Sequence, residues 1–130
     1  MAKTKLFTIT IDNHPGALAH IAKTLGDADV NILALLGTAQ GASGAIQLVA
    51  DSPARARKAL DGVRVHYQES AAEEIELANK PGALAECLEK LSAKGVNLNS
   101  IHASASKSGK KAILVYTVET AAAKAASATA

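Results

Sequence analysis

The residues of this chain whose types and spacing could do chemistry sit at two junctions. Asn13-His14-Pro15-Gly16-Ala17-Leu18 and Asn79-Lys80-Pro81-Gly82-Ala83-Leu84 both lie where an alternating apolar segment gives way to helical spacing. An Asn side chain both donates and accepts hydrogen bonds, as an amino acid's zwitterionic head group requires. Gly16 and Gly82 allow a ligand close to the main chain. The helix that follows each turn points unpaired N–H groups outward at its positive end, a natural seat for a carboxylate. Asn31 and Asn97 add donors and acceptors at the start of the next strand. A plainer reading stands beside this one: Asn13 or Asn79 caps the helix or steadies the turn, Gly16 permits tight helix–sheet packing, and Asn31 bonds the preceding turn.

Other chemistry has little to stand on. His14, His20, His66 and His102 show no metal-ligand spacing, and no metal or other cofactor is implied. His14, in the turn, is placed either to touch a bound anion or simply to be solvated, and His20 reads as a surface residue. Cys87 aligns with Ile21 on a helix's buried face and reads as a small core residue. Glu73, Glu74 and Glu76 read as solvated positions at the entry to a strand. There is no nucleotide-binding glycine loop, nucleophile elbow or clustered acid pair, so no catalytic site is expected.

The elements that must position the junctions form an internal repeat. Asn13, Pro15, Gly16, Ala17, Leu18, Ala19, Leu25, Val30 and Asn31 recur without a gap as Asn79, Pro81, Gly82, Ala83, Leu84, Ala85, Leu91, Val96 and Asn97, 66 positions later. Each copy opens with period-two alternation, Phe7 to Ile11 or Ile75 to Leu77, which predicts a strand with one buried face. Leu18, Ile21, Ala22, Leu25 and Ala28, and Leu84, Cys87, Leu88 and Leu91, carry the three-and-four spacing of one helix face. Strands follow at Val30 to Ala39 and Val96 to Ser106, then hairpins into Ala45 to Ala50 and Ala112 to Val118. In the first copy Ser52-Pro53 opens a second helix that Gly62 stops, and Val63 to Gln68 returns as a fourth strand.

The order is β-α-β-β-α-β, so the expected fold is α+β: two ferredoxin-like modules, residues 1–70 and 71–130, with antiparallel sheets covered by helices on one face. The second module is read as truncated, with Ala-rich residues 119–130 as a frayed helix or disorder.

Composition narrows the partners. The chain has 130 residues, a formal charge of +2 and only Phe7, Tyr67 and Tyr116 as aromatics. With no basic stripe and few stacking platforms, nucleic acid is not an expected partner. No apolar run approaches the roughly 20 residues that cross a bilayer, and no leader pattern opens the chain, so a cytoplasmic protein without a membrane partner is expected. The single cysteine agrees with a reducing compartment.

Asp12-Asn13-His14-Pro15-Gly16-Ala17-Leu18 followed by Asp29-Val30-Asn31-Ile32 resembles the signature of an ACT domain, and Asn79-Lys80-Pro81-Gly82-Ala83-Leu84 with Gly95-Val96-Asn97-Leu98 is similar. The tandem layout is similar to small stand-alone ACT pairs. The resemblance implies a regulatory protein that binds an amino acid or related carboxylate between paired modules and acts on an enzyme or a transcription factor. It also implies that Asn13, Gly16, Ala17 and Leu18 face Asn31 of a neighbouring module, and that Asn79, Gly82, Ala83 and Leu84 face an Asn97. The sequence departs from amino-acid-binding members at Ile11 and Leu77, where those often carry a polar side chain. The alternative is a structural oligomerisation module that binds no small molecule. Because an incomplete second sheet leaves an edge, a homodimer is expected.

Overall fold

The structure is a computed structural model and describes residues 2–118. The expectation for residues 119–130 lies outside the described residues. In chain order the elements are β1 (Ala2–Asp12), α1 (Ala17–Asp27), β2 (Ile32–Gln40), β3 (Ser43–Ala50), α2 (Pro53–Gly62), β4 (His66–Ala78), α3 (Ala83–Ala93), β5 (Leu98–Ala105) and β6 (Lys111–Val118). The chain divides into two compact units, Thr4–Ala71 and the residues from Ala72 onward together with the first residues of the chain.

In the first unit the strands lie in the order β2-β3-β1-β4, the antiparallel ferredoxin-like arrangement. In the second, β5, β6 and β4 are paired in the order in which β2, β3 and β1 are paired in the first. The expected α+β fold with two such modules is therefore the one observed. The expected strand Val63–Gln68 begins only at His66, because Val63 ends α2 and Arg64 turns at positive φ; from His66 it and Ile75–Leu77 are parts of one continuous strand, His66–Ala78. The polar stretch Glu69 to Glu74 hides the continuity from a pattern search. Strand pairing imposes extended backbone there whatever the side chains, since tertiary context overrides local preference.

The first unit's core joins strand positions Phe7, Ile9, Ile46 and Leu48 to helix positions Ile21, Leu25, Ala56 and Leu60, all buried. The α1 stripe is narrower than its sequence suggests, because Ala22 is exposed. Around this core two polar contacts fasten α2 to β4. Arg57 donates from Nε and Nη2 to the two Glu69 carboxylate oxygens, both at 2.8 Å. The Tyr67 hydroxyl donates to Asp61 at 2.6 Å, which with burial raises its pKa to about 12. The Tyr67 ring rests 5.9 Å from that of Phe7, centroid to centroid.

The second unit's core is built on Leu91, Leu114 and Tyr116, with Ile75, Leu77, Cys87, Leu88, Val96 and Leu98 partly buried against it. Cys87 thus packs at the margin of a core, as its alignment with Ile21 suggests.

Candidate functional site

Each junction is a turn held from behind. At the first, the Asn13 main-chain N–H donates to the Ala42 carbonyl at 2.8 Å, and its side-chain Nδ2 donates to the Gly41 carbonyl at 2.8 Å. At the second, the Asn79 N–H donates to Lys110 at 2.9 Å while Nδ2 donates to the carbonyls of Ser106 and Gly109, both at 2.8 Å. Both asparagines therefore clamp the hairpin of their own unit. Their amide nitrogens are engaged, and the side-chain carbonyl is the group each can turn toward a ligand.

Gly16 and Gly82 sit at the N-caps of α1 and α3 with φ +89° and +87°, the left-handed region that costs an L side chain about 1–2 kcal/mol. A Cβ at either position meets nothing within 4 Å, so it is the backbone angle, and not crowding, that calls for glycine. The positive φ swings the chain from strand to helix in a single residue.

How these helices begin is informative. α2 begins in the usual way, the Ser52 hydroxyl accepting from the Arg55 N–H at 3.3 Å. α1 and α3 have no side-chain cap, because their N-cap residue has no side chain. The first intrahelical bonds run from His20 to Gly16 at 2.9 Å and from Glu86 to Gly82 at 3.0 Å. The N–H groups of Leu18 and Ala19, and of Leu84 and Ala85, precede those bonds. They face outward at the positive end of the helix, where an anion is stabilised.

Two shallow depressions flank the first junction. One, of about 220 Å³, lies between the turn at Asn13 and His14, the start of α1 at Ala17 and Leu18, and strand residues Gly37, Thr38 and Ala39. The other, of about 350 Å³, is lined by Asp12, His14, Gly16, Ala17 and His20. His14 borders both, with Nδ1 2.9 Å from the Pro15 carbonyl. Asp12 also borders both and supplies a carboxylate that could meet an ammonium group. Asp12 belongs to the quoted motif but lies outside the residues expected to bind a ligand. Its position at the end of the first alternating segment was the available signal. Gly37 to Ala39 gave no signal, because they reach the depression through the hairpin.

At the second junction a groove of about 500 Å³ runs between β4 and α3. Ala83 borders it together with Ile75, Leu77 and Cys87, and Lys80, Lys90 and Glu86 stand at its rim. Asn79, Gly82 and Leu84 belong to the turn beside it; Leu18 and Leu84 are equally exposed, at 41% each.

Asn31 and Asn97 lie elsewhere. They come after the C-terminal ends of α1 and α3, and an eleven-residue helix spans about 16 Å, so neither sits beside its own junction. The Asn31 backbone exchanges bonds with Asp51, its N–H donating to Oδ1 at 2.9 Å and its carbonyl accepting from the Asp51 N–H at 2.9 Å. A ligand at a junction would meet such an asparagine only from another module.

Residues 1–128 match the family model described as an ACT domain pair. Among solved structures, the protein BT0572 from Bacteroides thetaiotaomicron is similar at 26% identity and a TM-score of 0.80, over 91% of this chain and 81% of that one. The ligand-free regulatory subunit of aspartate kinase from Thermus thermophilus shares the fold, with a TM-score of 0.67 at 13% identity over 98% of this chain and 88% of that one. The corresponding subunit from Thermus flavus gives 0.57 at 18% identity over 88% and 82%. No curated protein matches the chain.

Proposed function

Because this chain belongs to the ACT domain pair family, we propose that it is a regulatory protein whose first junction binds an amino acid or a related carboxylate. The observation that carries the reading is the contrast in helix starts: α2 is capped by its own Ser52, whereas α1 and α3 begin at left-handed glycines with no side-chain cap. A carboxylate would supply the acceptors that no side chain supplies there. Asp12 borders the same depression as His14, Ala17 and Leu18 and would receive the ammonium of a zwitterion there. The similar structure from Thermus thermophilus is a kinase's regulatory subunit. By analogy, this chain would act through an enzyme or a transcription factor, as a homodimer in the cytoplasm, and its own residues would carry out no catalysis.

The second reading is a structural oligomerisation module. It is favoured by the asparagine clamps, which give Asn13 and Asn79 a complete role in the turn without any ligand.

A thermal-shift screen of the twenty amino acids on the purified chain separates the two. A ligand bound only by the native state stabilises it by about 2.7 kcal/mol at a hundredfold excess over Kd, which moves the melting temperature of so small a protein by several degrees. A rise with one amino acid or a few supports sensing. No rise with any of them at millimolar concentration leaves the structural module.

A further inference from the structure

Resting on the reading of the first junction as an amino-acid site, we propose that the amino acid it takes is a basic one, with an amine or guanidinium ending its side chain. The charge around the junction points this way. With histidines neutral, Asp12 is the one formally charged side chain among the described residues that line the two depressions. Neither depression has a lysine or arginine on its wall.

The polar groups beside Asp12 mostly accept hydrogen bonds. Asn13 commits its Nδ2 to the Gly41 carbonyl, which leaves Oδ1 to face a ligand. His14 holds Nδ1 2.9 Å from the Pro15 carbonyl. A carbonyl can only accept, so Nδ1 carries the proton and Nε2 of the neutral ring is an acceptor. Thr38 on one wall, and Thr10 and His20 on the other, can serve in either sense. Fixed donors come from the main chain at the start of α1, where the ligand's single carboxylate uses them.

A molecule that matches this lining has one carboxylate and more than one donor. The α-ammonium group is the first donor, and the acceptors of Asp12, Asn13 and His14 have room for a second. Asp12 and His14 border the larger depression as well as the smaller. Ile11 and Ala17 also line both, so the methylenes of a side chain would cross from one to the other over apolar surface. Its terminal cation would then end near Asp12, His14 and Thr10. An acidic side chain would bring a second negative charge toward Asp12 with no cation to meet it, and an aliphatic one would leave the acceptors unused. The groove at the second junction carries Lys80, Lys90 and Lys94 beside Glu76 and Glu86, so the same preference is not expected there.

Thermal shift and titration calorimetry of the full chain with lysine, arginine, norleucine and glutamate test this. Norleucine is lysine without the side-chain amine. Lysine or arginine is expected to bind roughly fivefold to tenfold more tightly than norleucine, the scale of one partly exposed charged contact, and glutamate is expected to bind weakest. Asp12→Asn should remove most of that preference. His14→Leu should narrow it while leaving norleucine binding unchanged, and high salt should narrow it as well. The wild-type ranking stands as a test even if a variant folds poorly. If norleucine or glutamate binds as tightly as lysine and arginine, the basic class is overturned and the amino-acid site remains. If no amino acid binds, both are overturned. A preference for lysine or arginine that Asp12→Asn leaves intact puts the ligand elsewhere and overturns the assignment to this junction.

Discussion

At the first junction Asp12 ends the strand and His14 follows it; at the second, the equivalent positions hold Ala78 and Lys80. The backbone around them is nearly the same, down to left-handed glycines whose φ values differ by two degrees. What differs is charge. The first junction offers a carboxylate near an open helix start, a pair of features that suits a zwitterion. The second offers a cation beside an open helix start, and that suits a plain anion or no ligand at all. The cores differ too: Leu25 is 0% exposed, its counterpart Leu91 is 5% exposed, and the groove beside Leu91 stays open. A duplicated scaffold can thus keep its backbone chemistry while its side chains divide the work.

The largest expected effect concerns the two cores. Truncating a buried Leu costs about 2–5 kcal/mol, more where the surroundings cannot collapse into the space. Leu25 packs within a closed cluster containing Ile9, Ile21, Ala56 and Leu60, so Leu25→Ala is expected near the top of that range. Leu91 faces an open groove and a smaller cluster, so Leu91→Ala is expected near the bottom. Urea denaturation of both variants checks the ranking. Equal losses would mean that the second unit's core is as closed as the first.

Next in size is the charge difference at the junctions. A hydrogen bond to a charged group contributes about 1.5–3 kcal/mol, so loss of the Asp12 carboxylate should weaken amino-acid binding roughly tenfold to a hundredfold. Titration calorimetry of Asp12→Asn with whichever amino acid the screen selects measures this directly. Lys80→Ala, in contrast, should leave that affinity unchanged. If Lys80→Ala weakens binding and Asp12→Asn does not, the ligand belongs to the second junction.

A smaller effect follows from the contrast between capped and open helices. Ser52→Ala removes the cap of α2 and should cost about 1 kcal/mol, whether or not ligand is present. Gly16→Ala adds only backbone strain at φ +89° and should also lower stability, by about 1–2 kcal/mol. Denaturation midpoints with and without ligand separate the two sites, because only the Gly16 substitution should also reduce the shift that ligand produces.

Most of the fold was legible because its signals are local and repeated. Alternation at Phe7 to Ile11, three-and-four spacing from Leu18 to Leu25 and the Ser52-Pro53 helix start each arise from a short stretch of chain. The repeat then tied the halves together. Two features were not legible. The hairpin of the second copy is two residues longer, since Ile9 pairs with Ile46 but Ile75 pairs with Leu114. The register of the repeat therefore shifts after Asn97, in Gly- and Ser-rich turns that carry no periodic pattern. The clamps were not legible either: Asn13 reaches Gly41, 28 residues on, and nothing at position 13 alone specifies that partner. For the same reason no local signal points to Thr38, which hairpin register brings to the depression.

The smallest expected effect lies in acid. Arg57 holds the Glu69 carboxylate through paired hydrogen bonds and so keeps its pKa below the ordinary value of 4.5, against a smaller opposing contribution from burial. A carboxyl group whose pKa is lowered by folding adds stability that is present above its unfolded pKa and is lost as pH falls through the folded one. Glu69 should therefore contribute fully at neutral pH and progressively less below about pH 4.5. Partly exposed pairs of this kind are worth about 0.2–1 kcal/mol, since water and salt screen them. Arg57 extends from α2 and Glu69 from β4, so the contact belongs wholly to the first unit. Denaturation of wild type and Glu69→Gln at a series of pH values should show a small gap at pH 7 that closes as the pH falls toward 3. A gap that stays constant over that range would mean that the Glu69 carboxylate is not what fastens α2 to the sheet.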